Sequence, residues 1–209
     1  VERESTIPTN TEKQGTTPFG EPLVSLTDLP RIECEKSSCT GYEKQCAVKP
    51  NVYNQLKKLS NYLEKHGYRA EITSSTRTLE MQKFFFDMNQ YCNQVKENRC
   101  SGDKDKRACR KKYRQVLRET GQNNRLACRP GGSCEPACDP LVEINGEEKP
   151  NDQCRHMRGD AVDIRIYAKG KRLSRMENML DVKRRTMCEF GFVNFYEEHW
   201  HYEYGSAKW

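Results

Sequence analysis

The 209-residue sequence predicts an α+β fold, and two patterns carry that prediction. Apolar residues recur every three or four positions, the spacing of one buried helical stripe, at Val52, Leu56, Leu59 and Leu63. Residues 161–167 alternate instead, as a half-buried strand does, with Val162, Ile164 and Ile166 on the core side. Asp163 is therefore expected to point away from the core, into a cleft or solvent.

Shorter signals predict the other elements. The helical stripe ends near His66 and Gly67, and residues 68–73 favour a strand. Thr78 is placed to cap a second helix that carries an aromatic run. A basic helix is expected over 103–119, a hairpin turn at Asn145-Gly146, a helix over 174–188 and one long final strand over 192–204.

The chain length suits a single domain with additions. Residues 1–30 are rich in Thr, Pro, Ser, Glu and Gly, which predicts a flexible N-terminal arm. Residues 31–209 form the expected domain. Residues 92–150 hold six cysteines and are interpreted as a disulfide-braced insertion that rims a cleft, the alternative being an independent small subdomain.

Eleven cysteines, most of them without Cys-x-x-Cys spacing, favour disulfides over structural zinc sites. The odd number leaves at least one thiol free, metal-bound or paired with another chain. We therefore expect a periplasmic or extracellular protein. Val1 is not an initiator Met, so a processed or truncated chain is expected, and the missing leader says little about export.

Charge and hydropathy narrow the possible partners. The net charge of +6 favours anionic surroundings such as a cell wall, although ordinary solubility explains it equally well. No apolar run is long enough to span a bilayer, so no transmembrane segment is predicted. Basic residues cluster near 104–114 without an aromatic stacking pattern, so nucleic acid is not an expected partner.

Two separated segments carry the residues of a catalytic zinc site. His156 and Asp163 flank the start of the predicted strand, and His201 lies near the C-terminus. Such sites use three protein ligands and one open position, and they need a nearby base. Glu197 and Glu198 are candidates for the base. Strict strand alternation places Glu198 on the face opposite His201, so its use requires a turn or bulge before Trp200.

Three motifs, in order along the chain, resemble those of the zinc D-Ala-D-Ala peptidases, the VanX/VanY-like carboxypeptidases and dipeptidases. Residues 154–163, Cys-Arg-His-Met-Arg-Gly-Asp-Ala-Val-Asp, resemble the family's Ser-x-His-x-x-Gly-x-Ala-x-Asp signature. Residues 198–201, Glu-His-Trp-His, resemble its Glu-x-Trp-His motif. Residues 72–77 with Gln82 resemble its Ser-Gly-Tyr-Arg-x-x-x-x-Gln segment.

The resemblance implies a small central antiparallel sheet flanked by helices. It also implies that His156, Asp163 and His201 bind Zn²⁺ and that Glu198 is the general base and then acid. Arg77 would polarise the scissile carbonyl, and Gln82 would hold the substrate backbone. The implied reaction is a D,D- or L,D-carboxypeptidase cleavage of peptidoglycan stem peptides, by Glu-assisted attack of zinc-bound water. Dipeptidase and endopeptidase activities remain possible, and a secreted metal-binding or wall-binding module without catalysis is the alternative.

The chain departs from the family pattern in three places. Cys154 replaces the usual Ser, which implies either a lost substrate hydrogen bond or a disulfide that fixes this loop. Ser75-Thr76 replaces Gly-Tyr before the arginine, and the interval from Arg77 to His156 is longer than expected. Each residue also has a simpler interpretation when taken alone: Asp163 as a surface partner of Arg165, or Arg77 as an ion-pair partner of a glutamate.

Overall fold

The computed structural model describes residues 13–35, 45–87, 138–173, 189–194, 198 and 200–205. It has the expected mixed α+β architecture. The one long helix described is α1 (Pro50–His66), and residues 79–87 are also helical. The strands are β1 (Lys13–Thr16), β2 (Pro22–Ser25), β3 (Ile32–Cys34), β4 (Ala47–Val48), β5 (Tyr68–Ser74), β6 (Leu141–Ile144), β7 (Glu147–Pro150), β8 (Ala161–Ala168), β9 (Lys171–Arg172), β10 (Phe192–Asn194) and β11 (His201–Tyr204).

Helix α1 follows the predicted stripe. Pro50 occupies its first turn, where the missing amide hydrogen costs no helical bond. All four predicted stripe residues are buried. The helix ends at Gly67, whose φ of 70° is the left-handed conformation that glycine adopts readily. The His66 ring contacts the Tyr62 carbonyl at the exposed last turn, as expected of a capping histidine.

The main sheet has the strand order β10-β11-β8-β5-β3, and β9 pairs with β8. All these pairs are antiparallel except β3 with β5, which is parallel. The predicted alternation of β8 is confirmed, because Val162, Ile164 and Ile166 join the hydrophobic core with the α1 stripe. Burial of three such side chains stabilises the fold by roughly 1.5–3 kcal/mol each.

The predicted N-terminal arm is wrong from residue 13 onward. Residues 13–25 contain β1 and β2, which form a three-stranded sheet with β4. Leu23, Leu26 and Leu29 are buried, and the last two belong to the hydrophobic core. The polar composition of the segment concealed these leucines, because they are only three among its Thr, Pro, Ser, Glu and Gly residues. Residues 1–12 lie outside the described residues.

The predicted turn at Asn145-Gly146 joins β6 to β7 in a two-residue hairpin. Both turn residues have positive φ, 56° and 79°, as a type I′ turn requires. This hairpin belongs to the predicted insertion, of which only residues 138–150 are described. The Cys138–Cys154 disulfide joins it to the segment before His156, and a second disulfide joins Cys34 to Cys46. The helices predicted over 103–119 and 174–188 lie outside the described residues.

The prediction of one long final strand is wrong. Residues 192–204 instead contain two short strands, β10 and β11, that pair with each other in antiparallel orientation. A turn precedes β11, and Glu198 lies in it, since the His201 amide donates to the Glu198 carbonyl at 2.8 Å. Within the described part of the chain, no helix is long and apolar enough to cross a membrane.

Candidate metal centre

A compact loop between the hairpin and β8 presents His156. Backbone hydrogen bonds connect residues within 154–160, and Gly159 has a φ of 71°. Cys154 at its start is buried and disulfide-bonded to Cys138, so the disulfide alternative for this position is confirmed. Asp160 pairs with Lys49 at 3.1 Å and Arg158 at 2.8 Å. Asp160 therefore holds the loop and does not join the metal cluster.

Asp163 and His201 come from adjacent strands. They face each other directly in the register of β8 with β11. Asp163 is buried, and its partner is Arg77 at 3.2 Å rather than Arg165, which contacts Glu35 and Glu71. The interpretation of Asp163 as a surface partner of Arg165 is therefore wrong.

The three side chains converge through one atom each. His156 Nε2 lies 3.2 Å from His201 Nδ1 and 3.3 Å from Asp163 Oδ1, and His201 Nδ1 lies 3.0 Å from Asp163 Oδ1. For a tetrahedral ion with bonds of 2.0–2.1 Å, the ligand atoms lie about 3.3 Å apart. The three atoms thus form a nearly equilateral triangle of the size that one face of such a site requires. The arrangement can hold a metal ion.

Hydrogen bonds on the outer side of each ring direct a lone pair inward. His156 Nδ1 lies 2.7 Å from the Ser75 carbonyl, which can only accept, so the proton of the neutral ring is on Nδ1. His201 Nε2 lies 3.2 Å from Glu203 Oε1, which fixes the opposite tautomer. Two imidazole lone pairs and a carboxylate oxygen then face one another, an arrangement that is repulsive unless a cation or a proton lies between them.

The electrostatics of the cluster agree with this arrangement. Burial and the charge of Arg77 lower the pKa of His156 to about 4. Burial also lowers the pKa of His201, but hydrogen bonds to Asp163 and Glu203 outweigh it and raise that pKa to about 9. Burial raises the pKa of Asp163, but both histidines and Arg77 outweigh it and hold that pKa well below its usual range. Without a metal, the His201 ring is therefore protonated and positively charged at neutral pH, whereas the His156 ring is neutral.

Arg77 lies directly beside the cluster. Its amide donates to the His156 carbonyl at 3.1 Å, and its guanidinium Nη2 donates to Asp163 Oδ2 at 3.2 Å. Among the described residues its ion-pair partner is Asp163, an aspartate of the cluster. Gln82 is also close, and its side-chain oxygen accepts from Arg77 Nη1 at 3.2 Å.

Glu198 is brought close to the cluster by the turn that precedes β11. Its negative charge is among the causes that raise the pKa of His201. The turn that its use required is present, because Trp200 and Glu198 lie outside the strand. Glu197, the other candidate for the base, lies outside the described residues, as does His199.

Two residues that contact the histidine rings were not predicted from the sequence. Ser75 supplies a backbone carbonyl, which no side-chain pattern could reveal. Glu203 lies two positions after His201, on the same face of a regular strand, but no motif assigns it a role. Its second oxygen lies 3.6 Å from Arg155 Nε, so it joins His201 to the loop that carries His156.

No protein-family model matches the sequence, and no curated protein is significantly similar to it. Two solved structures are similar to the chain. The LD-carboxypeptidase LdcB, studied for peptidoglycan recognition, is 18% identical over 93% of this chain and 74% of its own, with a TM-score of 0.44. A mutant of the vancomycin-resistance D,D-pentapeptidase VanY, solved with Zn(II), is 20% identical over 78% and 75%, with a TM-score of 0.39.

Proposed function

We propose that this protein is a zinc-dependent peptidase that hydrolyses peptidoglycan stem peptides, as a D,D- or L,D-carboxypeptidase. The observation that carries the proposal is the triangle of His156 Nε2, Asp163 Oδ1 and His201 Nδ1, with sides of 3.0 to 3.3 Å. Three nitrogen and oxygen ligands are typical of catalytic zinc sites, whereas structural zinc sites use four ligands and favour cysteine. The choice of stem peptide as substrate comes from the three motifs.

In this proposal His156, Asp163 and His201 hold the ion. Zn²⁺ would supply Lewis-acid polarisation of a substrate carbonyl and of water. The chain supplies the rest of the chemistry through the residues beside the cluster, Arg77 and Glu198.

Glu198 is the proposed general base and acid. Its carboxylate takes a proton from the attacking water and then delivers a proton to the leaving amine, so it ends the cycle ionised as it began. The turn before β11 places the residue beside His201, where its charge acts on that ring. A residue held within the strand would point to the opposite face.

Arg77 is the proposed stabiliser of negative charge on the substrate oxygen. Its guanidinium is fixed beside Asp163, so it does not need to reorganise as charge develops. The motif resemblance implies that Gln82 holds the substrate backbone, whereas its contact with Arg77 favours a role in positioning that guanidinium.

Export to the periplasm or cell exterior belongs to the same proposal. Two disulfides among the described residues are typical of proteins that fold in an oxidising compartment. The cell wall substrate lies in that compartment.

The test is digestion of purified stem peptides by the wild-type protein, Glu198→Gln and the matched control Glu64→Gln, which alters an exposed glutamate of α1. Zinc content is measured for all three. We expect equal zinc in each and a rate for Glu198→Gln reduced about 10²- to 10⁴-fold. A wild-type protein without zinc would contradict the site. Zinc in all three with no cleavage by any would favour a metal-binding module without catalysis.

A further inference from the structure

Gln82 bridges two parts of the site that are distant in sequence. Its side chain is 2% exposed. The amide oxygen accepts from Arg77 Nη1 at 3.2 Å, and the amide nitrogen donates to the Cys138 carbonyl at 2.9 Å. Both ends of the amide are therefore engaged with protein atoms. An ionised glutamate or a hydrophobic residue could not make both contacts, because the amide supplies a donor and an acceptor at the end of one side chain.

The contact with Gln82 completes the fixation of the Arg77 guanidinium. Nε donates to Ser74 Oγ at 2.9 Å, and Nη2 donates to Asp163 Oδ2 at 3.2 Å. Nη1 donates to the Gln82 side-chain oxygen at 3.2 Å, so each of the three guanidinium nitrogens has an acceptor among the described residues. The centroid of the Phe85 ring lies 4.6 Å from the guanidinium carbon. Loss of the Gln82 contact would leave one end of the guanidinium less restrained.

The residue whose carbonyl accepts from the Gln82 amide, Cys138, is held by a disulfide bond. Cys138 is joined to Cys154, which is buried and lies two residues before His156. Asn151 also holds this segment, because its amide donates to the Asp139 carbonyl at 2.8 Å. The disulfide thus holds the His156 loop on one side and the Gln82 acceptor on the other.

We propose that Gln82 is a positioning residue for Arg77, and that the Cys138–Cys154 disulfide fixes the carbonyl against which Gln82 is held. This inference rests on the proposed function only for its effect on rate. It differs from the substrate-binding role that the motif resemblance implies, because the effect of Gln82 passes through Arg77. Cys154 then has a structural role, because its disulfide with Cys138 connects the loop that carries His156 to the carbonyl that holds Gln82 and, through Gln82, Arg77.

The experiment compares Gln82→Met, a substitution of similar length that loses both contacts, with Gln153→Met, the same change at an exposed position near the loop. Nuclear magnetic resonance relaxation of the Arg77 Nε–H group measures its order directly and requires no catalysis. The resonance is assigned by its loss in Arg77→Lys. We expect a clear fall in Arg77 order in Gln82→Met and no change in Gln153→Met. Unchanged Arg77 order in a folded Gln82→Met would overturn the proposal.

Kinetics then separate positioning from substrate binding. We expect Gln82→Met to reduce kcat about 10- to 100-fold with KM nearly unchanged, the effect of misplacing a catalytic group. In an Arg77→Ala background the same change should cost nothing more. A raised KM, or an undiminished effect in that background, would mean direct substrate contact and sink the proposal. If the wild-type protein cleaves nothing but Arg77 order falls in Gln82→Met, only the proposed peptidase activity is contradicted.

The disulfide is tested with the pair of substitutions Cys138→Ala and Cys154→Ala. The matched control removes the other described disulfide, with Cys34→Ala and Cys46→Ala. We expect Arg77 order to fall in the first protein and to stay at the wild-type value in the second. Equal Arg77 order in both, with both folded, would remove the disulfide from the proposal.

Discussion

Asp163 and His201 face each other in the register of β8 with β11, and His201 Nδ1 lies 3.0 Å from Asp163 Oδ1. Directly opposed residues of an antiparallel pair place their side chains on the same face of the sheet. Two of the three proposed ligands are therefore set by strand pairing itself, and the loop with His156 needs to add only the third. A one-residue slip of β11 would exchange His201 for Tyr202, which lies in the core.

Removing one histidine should remove the metal. His156→Ala leaves two ligands of three, and we expect zinc content close to zero after dialysis against a weak chelator. The matched control is His66→Ala, which changes an exposed histidine at the end of α1. Zinc measured by atomic absorption should stay at the wild-type level in His66→Ala. Retention of zinc by His156→Ala would show that the ion is held elsewhere.

We expect Glu203 to strengthen zinc binding through its hydrogen bond to His201, without itself binding the metal. It accepts from His201 Nε2 and so directs the Nδ1 lone pair toward the cluster. We expect Glu203→Gln to weaken zinc binding about 10- to 100-fold, as loss of such partners usually does. Competition with a chromophoric chelator measures the affinity. Glu148→Gln, on the exposed hairpin, should bind zinc like the wild type. An unchanged affinity in Glu203→Gln would contradict the orienting contact.

Zinc binding should release protons at neutral pH. In the metal-free protein the pKa of His201 is raised to about 9 and that of His156 is lowered to about 4. At pH 7, His201 is protonated and must lose its proton to bind, whereas His156 is already neutral. We expect release of about one proton and an affinity that rises with pH until about pH 9.

Calorimetry in buffers of different ionisation enthalpy measures that proton release. In Glu203→Gln the release should be smaller, because the hydrogen bond to Glu203 is one cause of the raised His201 pKa. Binding heats that are independent of the buffer would mean that His201 is neutral before the metal arrives.

Gly159 should be intolerant of a side chain. Its φ is 71°, and an added Cβ would lie 3.1 Å from Thr76 Oγ1 and 3.2 Å from Leu23 Cδ2. We expect Gly159→Ala to lower the free energy of unfolding by about 1–3 kcal/mol, measured by urea denaturation. Gly20→Ala is the control, since its φ of 80° is similarly strained but its Cβ would have open space. Equal losses in the two variants would mean that backbone strain alone acts at Gly159.

The sequence determined the local elements and the identities of the candidate ligands. The stripe from Val52 to Leu63 and the alternation from Val162 to Ile166 predicted α1 and β8 because amphipathic spacing reflects which side of an element is buried. Two of the motifs contain His156, Asp163 and His201, and the side chains of these residues converge in the structure. The polar composition of residues 13–30 predicted a flexible arm, whereas a few leucines in this segment are buried by contacts with distant elements.

Only the tertiary structure decided how these residues act together. Strand register placed Asp163 against His201, and the turn before β11 freed Glu198 from the strand face that alternation had assigned to it. The carbonyls of Ser75 and Cys138 carry no sequence signal, yet they orient His156 and Gln82. Such contacts depend on which backbone atoms meet after folding, and the periodicity of a single segment contains no information about its partner.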